Sequence, residues 1–215
     1  MTFITFEGPE GAGKTTQIAR LASALRAQGH NVTETREPGG TLEAEALRHT
    51  LLDSERLWSP VSEALLMNAA RDSHLRGKII PALKSGCVVL CDRFFDSTEA
   101  YQGGEPGITP SFLKALRQAV VTKAPDATLI LDLPPEIGLA RAEARGAADR
   151  FEGKGLAFHQ KVRDRFLSIA RREPERCVVI DANQDPDTVE AAIQRAVLAR
   201  LPGLLGGGDG PPHAP

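Results

Sequence analysis

Residues 8–15 have the types and the spacing of a phosphate-binding loop. Their sequence, GPEGAGKT, fits the pattern G-x-x-x-x-G-K-[ST], and the apolar run FITF at residues 3–6 comes shortly before it. A helical pattern follows, with Ile18, Leu21 and Leu25 on one face. In such a loop the glycines let backbone N–H groups point at phosphate oxygens, at the positive end of the next helix. Because strand, loop and helix occur in the required order, the sequence predicts a site for a nucleoside triphosphate.

The side chains of this loop suggest how it would hold ATP. Lys14 is expected to reach the β- and γ-phosphates, and the Thr15 hydroxyl to coordinate Mg²⁺. Glu10 would bring a carboxylate close to the phosphates, which is unfavourable unless a cation lies between them. We therefore expect Glu10 to act on Mg²⁺ or on Arg93, although a solvated, outward-pointing Glu10 stays an alternative. The predicted ATP-binding residues of the loop are Gly8, Pro9, Glu10, Gly11, Ala12, Gly13, Lys14 and Thr15.

Charged residues also follow other predicted strands. Arg36 comes after the second strand, Asp92 and Arg93 come at the end of the third, and Arg145 lies in a later loop. The fork of an arginine suits phosphate oxygens, and Asp92 is placed to hold the Mg²⁺ shell through water. Several arginines favour phosphoryl transfer to an acceptor that itself carries a phosphate. Taken alone, the Asp92–Arg93 pair could equally be a structural ion pair.

Alternating strands and helices must position these residues. Strands are predicted at about 2–7, 31–35, 87–91, 128–133 and 177–181. Helices are predicted at about 14–28, 41–52, 60–84, 110–121, 135–145, 155–172 and 186–200. Two of the strand runs, CVVLC and CVVID, are continuously apolar, which is typical of parallel strands covered on both faces. The pattern predicts an α/β fold, a doubly wound five-stranded parallel sheet flanked by helices, with ligands beyond the carboxyl ends of the strands.

Length and composition limit the possible classes of protein. The 215 residues, 41% of them hydrophobic, predict a single domain over residues 1–201, followed by a flexible Gly/Pro-rich tail at 202–215. A formal net charge of −2 argues against nucleic-acid binding. No apolar run reaches 18 residues and the first residues read directly into a strand, so we expect neither a membrane span nor a signal peptide.

The cysteines and histidines indicate a reducing compartment and no protein-built metal cage. Cys87 and Cys91 lie four residues apart on one predicted strand, about 13 Å at roughly 3.3 Å per residue, too far for a disulfide. We interpret the three cysteines as small apolar residues of a cytoplasmic protein. The five histidines lack the spacing of metal ligands.

Two further strings carry a resemblance to a known family. EPGGT at residues 37–41 and DRFFDSTEAYQG at 92–103, together with the phosphate loop, closely resemble bacterial thymidylate kinases over about residues 1–200. The resemblance implies a P-loop kinase architecture and phosphoryl transfer from ATP to dTMP, which yields dTDP and ADP. It also implies Mg²⁺, a homodimer and a cis Glu37–Pro38 peptide bond.

The resemblance extends to an arginine-bearing lid at about residues 141–152. Some relatives carry a basic residue in the phosphate loop where this chain has Gly11, so the resemblance is to the subtype whose lid arginines supply the charge. Arg141, Arg145 and Arg150 are then expected at ATP, with Arg145 as the cation that stabilises the transition state. A solvated surface arginine remains the alternative for Arg145.

For the acceptor nucleotide, the resemblance implies a role for each of several residues. Arg36 maps to the dTMP phosphate, Arg71 to a base carbonyl, Thr98 to the base edge, and Tyr101 to a position under the deoxyribose. Met67 stands where relatives commonly have a phenylalanine that stacks on thymine, and a thioether packs there less rigidly. The predicted dTMP-binding residues are Arg36, Met67, Arg71, Arg93, Thr98 and Tyr101. The predicted catalytic residues are Glu10, Lys14, Asp92, Arg93 and Arg145, with Thr15, Glu10 and Asp92 at Mg²⁺.

Three alternatives were weighed against this interpretation. Another nucleoside monophosphate or deoxynucleoside kinase would share the fold and the loop, but would not need EPGG together with Tyr101. A GTP-binding regulator would need D-x-x-G and N-K-x-D, and the chain contains neither. A motor acting on nucleic acid would need a longer chain and a basic face.

Overall fold

A computed structural model of the chain describes residues 1–53, 55–144, 146 and 151–205. In this part of the chain, parallel strands form one sheet in the order β2–β3–β1–β4–β5. The strands are β1 (Thr2–Glu7), β2 (Val32–Arg36), β3 (Val88–Asp92), β4 (Ala127–Asp132) and β5 (Cys177–Asp181). The central strand β1 lies between β3 and β4, so the ends of these three strands meet at one edge. The predicted α/β fold with five parallel strands is confirmed.

Helices cover both faces of the sheet. They are α1 (Lys14–Ala27), α2 (Leu42–Leu52), α3 (Pro60–His74), α4 (Ile80–Lys84), α5 (Phe95–Gln102), α6 (Pro110–Val120), α7 (Pro135–Ala144), α8 (Leu156–Arg172) and α9 (Pro186–Arg200). Local sequence explains several of their starts, since a side-chain oxygen accepts a hydrogen bond from a backbone N–H of the first turn. The residues that cap in this way are Thr41, Ser59, Thr109 and Asp185. A proline in the first turn supports α3, α6 and α9.

The predicted helix at 60–84 is interrupted. Helix α3 ends at His74, a π-helical turn spans Leu75–Ile79, and α4 begins at Ile80. Pro81 lies in the first turn of α4 and has no N–H to donate to the carbonyl four residues earlier, which accounts for the wider turn.

Helix α5 was not predicted. Its eight residues are FDSTEAYQ, and buried side chains occur around most of its circumference, so no single apolar stripe marks it. This helix begins just after β3, at the edge of the sheet where ligands are expected. It therefore places Thr98 and Tyr101, two of the residues that the resemblance predicts at the acceptor nucleotide.

The core is divided by the sheet. On one face α1 and α9 pack against β1, β3 and β4, and on the other face α5 and α8 form a second apolar cluster.

The packed part of the chain reaches beyond the predicted boundary at residue 201. Leu204 is buried against the first cluster, and its carbonyl lies 2.9 Å from His30 Nε2. Residues 206–215 lie outside the described part of the chain, so the flexible tail stays a prediction.

Among the residues that the structure describes, no helix combines the length and the apolar composition that a membrane span needs.

Candidate active site

The phosphate loop connects β1 to α1, and close backbone packing fixes its shape. Gly8 has a φ of 131°, and a Cβ at this position would lie 2.3 Å from the carbonyl oxygen of Leu131 in β4. A Cβ on Gly11 would lie 2.2 Å from the carbonyl oxygen of Gly138 in α7. Only glycine fits at these two positions, so the loop conformation is set by its contacts with β4 and α7.

Lys14 lies within the curl of this loop. Its Nζ donates hydrogen bonds to the carbonyl oxygens of Gly8 (3.2 Å) and Pro9 (3.0 Å), and its side chain is buried. Burial lowers the pKa of Lys14, and Arg93 acts in the same direction, while the carboxylates of Asp92 and Glu10 oppose them. The two carbonyls therefore hold the ammonium group at the loop without a direct carboxylate partner among the hydrogen bonds of the described residues.

Thr15 and Asp92 meet at the ends of α1 and β3. The Thr15 hydroxyl donates to Asp92 Oδ2 at 3.1 Å, and Asp92 Oδ1 is buried without a hydrogen-bond partner in the described part of the chain. An orphaned carboxylate oxygen beside a hydroxyl matches the oxygen ligands that Mg²⁺ takes in phosphate sites. The donor set thus fits the predicted magnesium ion.

Arg93 occupies a left-handed backbone position, with a φ of 68°, between β3 and α5. Its Nη1 donates to the Gly8 carbonyl (3.0 Å) and to Ser97 Oγ (3.1 Å), and its Nη2 donates to Glu10 Oε1 at 2.5 Å. The Tyr101 hydroxyl donates to the same Glu10 oxygen at 3.0 Å. The guanidinium also lies 5.0 Å from the centre of the Tyr101 ring. Of the two roles predicted for Glu10, these contacts favour the one on Arg93.

This cluster stays ionised over the neutral range. Burial alone would raise the pKa of Glu10, but Arg93 and Lys14 outweigh it and bring that pKa down to about 2. The pKa of Arg93 is raised: burial lowers it, but Glu10 and the other acidic groups outweigh burial. The loop therefore presents a fixed carboxylate–guanidinium pair rather than an unpaired negative charge.

Arg71 belongs to a second, more deeply buried network. Its Nε donates to Glu37 Oε2 (2.8 Å), Nη1 to Asn68 Oδ1 (3.0 Å), and Nη2 to the Phe94 carbonyl (3.1 Å) and Thr98 Oγ1 (3.0 Å). Within the described part of the chain, four of the five guanidinium N–H groups are thus occupied, and one Nη1 hydrogen has no partner there.

The backbone around Glu37 supports this network. The Glu37–Pro38 bond is cis, as the resemblance implied. Glu37 Oε1 lies 3.1 Å from His74 Nδ1, and His74 Nε2 lies 2.7 Å from Thr35 Oγ1. Glu37 is therefore held from two sides, by Arg71 and by His74.

Arg36 has a different environment. Its side chain is 54% exposed, and its Nη2 donates to both carboxylate oxygens of Glu45 at 3.1 Å. Nearby, Arg48 of α2 donates to the Pro38 carbonyl at 2.9 Å. Both arginines line the same cavity.

One cavity of about 290 Å³ brings most of the predicted residues together. The predicted residues that line it are Glu10, Gly11, Ala12, Gly13, Lys14, Thr15, Arg36, Met67, Arg71, Asp92, Arg93, Thr98 and Tyr101. Gly8 and Pro9 contribute through the carbonyls that hold Lys14. Arg141 lies at the rim of the loop, with Nη1 3.5 Å from the Gly11 carbonyl. Arg145 and Arg150 lie outside the described residues, so their roles stay predictions.

Several cavity residues were missed by the sequence analysis. They are Thr16, Glu37, Pro38, Arg48, Leu52, Phe94, Ser97, Gln102 and Phe151. Arg48 and Leu52 are four residues apart on α2, a spacing that could have marked one helix face. Gln102 donates to the buried Glu63 at 2.7 Å, and the Phe151 ring packs edge-on against Tyr101 with centroids 5.7 Å apart. No local sequence pattern predicts these two contacts, because each joins segments that are far apart in the chain.

Comparisons with known proteins agree with this geometry. The family model for thymidylate kinase matches residues 6–193. A thymidylate kinase of Caulobacter vibrioides is 58% identical over 201 residues, which cover 93% of this chain and 97% of that protein. One from Pseudomonas putida is 53% identical over 205 residues, covering 94% and 97%. The crystal structure of thymidylate kinase from Ehrlichia chaffeensis is similar with a TM-score of 0.74 and 36% identity, covering 91% of this chain and 98% of that one.

Proposed function

The chain belongs to the thymidylate kinase family, and we propose that it transfers the γ-phosphoryl group of ATP to dTMP in the cavity described above. It is a nucleoside monophosphate kinase, and its reaction yields dTDP and ADP. The observation that carries the proposal is that a single cavity joins a phosphate loop, with Lys14 and Thr15, to the buried Arg71 and Thr98 and to Tyr101. Donor and acceptor can therefore meet in one cavity, which is what phosphoryl transfer between two nucleotides requires.

The donor end consists of the phosphate loop and the lid. Backbone N–H groups of residues 10–15 and the Lys14 ammonium hold the phosphates of ATP, and Lys14 balances the charge on the moving group. Arg141 reaches the loop rim, and Arg145 and Arg150 supply further positive charge from the lid. Among these, Arg145 is the cation assigned to the transition state.

The acceptor end consists of residues from α3 and α5, with Arg36 at the end of β2. Arg36 and Arg93 bind the dTMP phosphate, with their forks matched to its oxygens. Arg71 uses its remaining Nη1 hydrogen for a base carbonyl, and Thr98, whose hydroxyl already accepts from Arg71, donates to the base edge. Met67 packs on the base, and Tyr101 closes the pocket under the sugar, where its ring opposes a 2′-hydroxyl.

Magnesium has a place between the two ends. Thr15 and Asp92 would hold the ion, partly through water, and bound Mg²⁺ supplies charge neutralisation on the phosphate oxygens. Glu10 contributes through Arg93, because its carboxylate is already paired with that guanidinium at 2.5 Å.

A substrate panel tests the proposal. We expect dTDP formation from ATP, Mg²⁺ and dTMP, with kcat/KM well above the values for dUMP, UMP, CMP, AMP and GMP. Lys14→Ala serves as the inactive control, since loss of the loop cation should lower kcat by about 10²–10⁴. A preference for another monophosphate would favour a different nucleoside monophosphate kinase. Parental activity in Lys14→Ala with a normal circular dichroism spectrum would contradict the assignment of the cavity.

We also propose an oligomeric state and a cellular location for the protein. A homodimer is implied by the resemblance, and α6 supports it, because this helix carries Phe112, Leu113 and Leu116 yet none of its residues is buried. Light scattering of the purified chain would show the dimer mass or contradict it. A cytoplasmic location is supported by the three cysteines, which are all free thiols.

A further inference from the structure

Glu7 is a buried acid that the proposed reaction does not use. It is the last residue of β1, directly before the phosphate loop, and its exposure is 0%. A carboxylate in such a position is costly unless its oxygens are well satisfied. Here both oxygens have partners. Glu7 Oε1 accepts the backbone N–H of Phe94 at 2.8 Å, and Glu7 Oε2 accepts the Ser97 hydroxyl at 2.6 Å.

Both partners of Glu7 belong to the turn that carries Arg93. Ser97 Oγ accepts Arg93 Nη1 at 3.1 Å while its own proton goes to Glu7, so a directed chain runs from the guanidinium through Ser97 to the Glu7 carboxylate. Phe94, whose N–H goes to the other Glu7 oxygen, directly follows Arg93. The carboxylate therefore holds the backbone after Arg93 and, through Ser97, the end of its side chain.

Arg93 needs such support. Its backbone is left-handed with a φ of 68°, which is unfavourable for a residue with a Cβ. The first turn of α5 lacks a side-chain cap from its own N-cap residue, Phe94. A carboxylate at this helix N-terminus satisfies a backbone donor and interacts favourably with the helix dipole. Glu7 supplies this function from a residue almost ninety positions away in the sequence.

We propose that Glu7 is a positioning residue for phosphoryl transfer, which fixes the Arg93 guanidinium between the phosphate loop and Glu10 through Ser97 and the Phe94 N–H. The inference rests on the proposed function, because it assigns Glu7 to the arginine that binds the acceptor phosphate. It makes Glu7 distinct from a merely structural cap, which would hold α5 in place but leave catalysis unchanged once the protein is folded.

The charge state of Glu7 adds a measurable property. Burial, with Asp96 acting in the same direction, raises the pKa of Glu7 to about 8, while Ser97, Arg93 and the Phe94 N–H oppose the shift. Glu7 also raises the pKa values of three other titratable groups, which are Lys14, Cys91 and Cys177. A protonated Glu7 would donate to Ser97 Oγ instead of accepting from it, which reverses the Glu7–Ser97 hydrogen bond and removes the negative charge behind Ser97, while Arg93 still donates to Ser97. Arg93 should accordingly be best positioned above pH 8.

The experiment compares four variants of the full chain with the wild type. Glu7→Gln removes the charge at nearly constant shape and turns two donors toward Ser97 Oγ. Ser97→Ala cuts the link to Arg93 but leaves the Phe94 N–H on Glu7. The double variant tests whether the two act along one path. Thr5→Val is the matched control, because it removes a buried hydrogen bond of the same strand, Thr5 Oγ1 to Thr128 Oγ1 at 2.9 Å, without touching Arg93.

Steady-state kinetics with dTMP from pH 6 to 10 gives the decisive readout. Above pH 8, where Glu7 of the wild type is ionised, we expect kcat/KM for dTMP to fall about 10–100-fold in Glu7→Gln and about 5–10-fold in Ser97→Ala, the scale of a misplaced catalytic group. The double variant should be no worse than Glu7→Gln within about twofold, because both changes break one path. The wild type should show a rise in kcat/KM with a midpoint near pH 8, and Glu7→Gln should lack that step.

The outcomes separate this inference from the proposed function. If the wild type forms dTDP but Glu7→Gln and Ser97→Ala both stay within about twofold of Thr5→Val and keep the step, Glu7 is a structural cap and the inference is wrong. Should Glu7→Gln not fold, Ser97→Ala decides alone, and parental kinetics in it would overturn the inference. Absence of dTMP phosphorylation in the wild type would instead contradict the proposed function.

Discussion

The two ends of the proposed acceptor pocket hold their arginines in opposite ways. At the base end, Arg71 is 3% exposed and donates to Glu37, Asn68, Phe94 and Thr98. At the phosphate end, Arg36 is 54% exposed and is paired with Glu45. In the sequence both are arginines predicted to bind the same nucleotide. The structure makes one of them part of the protein interior and leaves the other at the surface.

This difference follows from the two recognition tasks. Distinguishing one base from another depends on a few hydrogen bonds of fixed direction, so the donor must be locked before the ligand arrives. Binding a phosphate depends mainly on charge, which an exposed and mobile guanidinium can supply. The buried network has a desolvation cost, and only complete pairing of its charges offsets that cost. The exposed pair costs little and contributes little to stability.

The largest effect is expected from breaking the base end. Arg71→Met leaves the Glu37 carboxylate buried without its guanidinium partner, which should cost about 3–5 kcal/mol of stability. dTMP phosphorylation should fall by at least about 10³-fold, because the base loses its donor and Thr98 its anchor. Urea denaturation and kinetics at low temperature would measure both. Arg71→Lys is the matched variant, and near-parental activity in it would show that charge alone suffices at this end.

A smaller and purely functional effect is expected at the phosphate end. Arg36→Ala should lower kcat/KM for dTMP about 10–100-fold, mostly through KM, while stability changes by no more than about 1 kcal/mol. The defect should shrink at high salt, where the wild-type attraction is screened. Glu45→Gln frees Arg36 from its partner and serves as the control. If Arg36→Ala lost as much stability as Arg71→Met, the two arginines would contribute equally to the fold, and the proposed difference between the two ends would be wrong.

Tyr101 lies between the two ends of the pocket. Substitutions of Tyr101 test how the sugar of the acceptor is selected. Its ring packs against Phe151, Phe158 and Phe166, and its hydroxyl donates to Glu10. Tyr101→Ala should narrow the kcat/KM ratio of deoxyribose over ribose acceptors by roughly tenfold, since the discrimination is steric. Tyr101→Phe keeps the ring and should keep the ratio. If both variants retained the parental ratio, another residue would select the sugar.

The smallest effect concerns Glu10, whose pairing with Arg93 is intermediate in exposure. Its pKa is about 2 in the folded protein against an ordinary value of 4.5. A lowered carboxyl pKa stabilises the fold above pH 4.5, and this contribution disappears as the pH falls toward 2. Between pH 4.5 and 3.5 the wild type should lose about 1 kcal/mol more unfolding free energy than Glu10→Gln. Urea denaturation at the two pH values would measure this difference. An equal loss of unfolding free energy in the wild type and in Glu10→Gln would contradict the pairing.

Much of the fold was readable from the sequence for local reasons. All five strands were placed within a residue or two, and for CVVLC and CVVID the reason is that parallel strands covered on both faces are continuous apolar runs. The phosphate loop was readable because its glycines and Lys14 are adjacent along the chain. Helix α5 was missed because its residues pack on nearly all sides, and the π-helical turn at Leu75–Ile79 was missed because it depends on how α3 and α4 join.

The sequence by itself determined which residue types stand at the strand ends, and hence the chemistry of the site. Backbone connectivity guarantees that a residue after a parallel strand lies at the ligand-binding edge of the sheet. Only the tertiary structure decided which partner each charged residue takes. Glu37 pairs with Arg71 across 34 positions and Glu7 with Ser97 across 90. Such pairs form because a buried charge must find a partner in space, and no local pattern records where that partner lies in the chain.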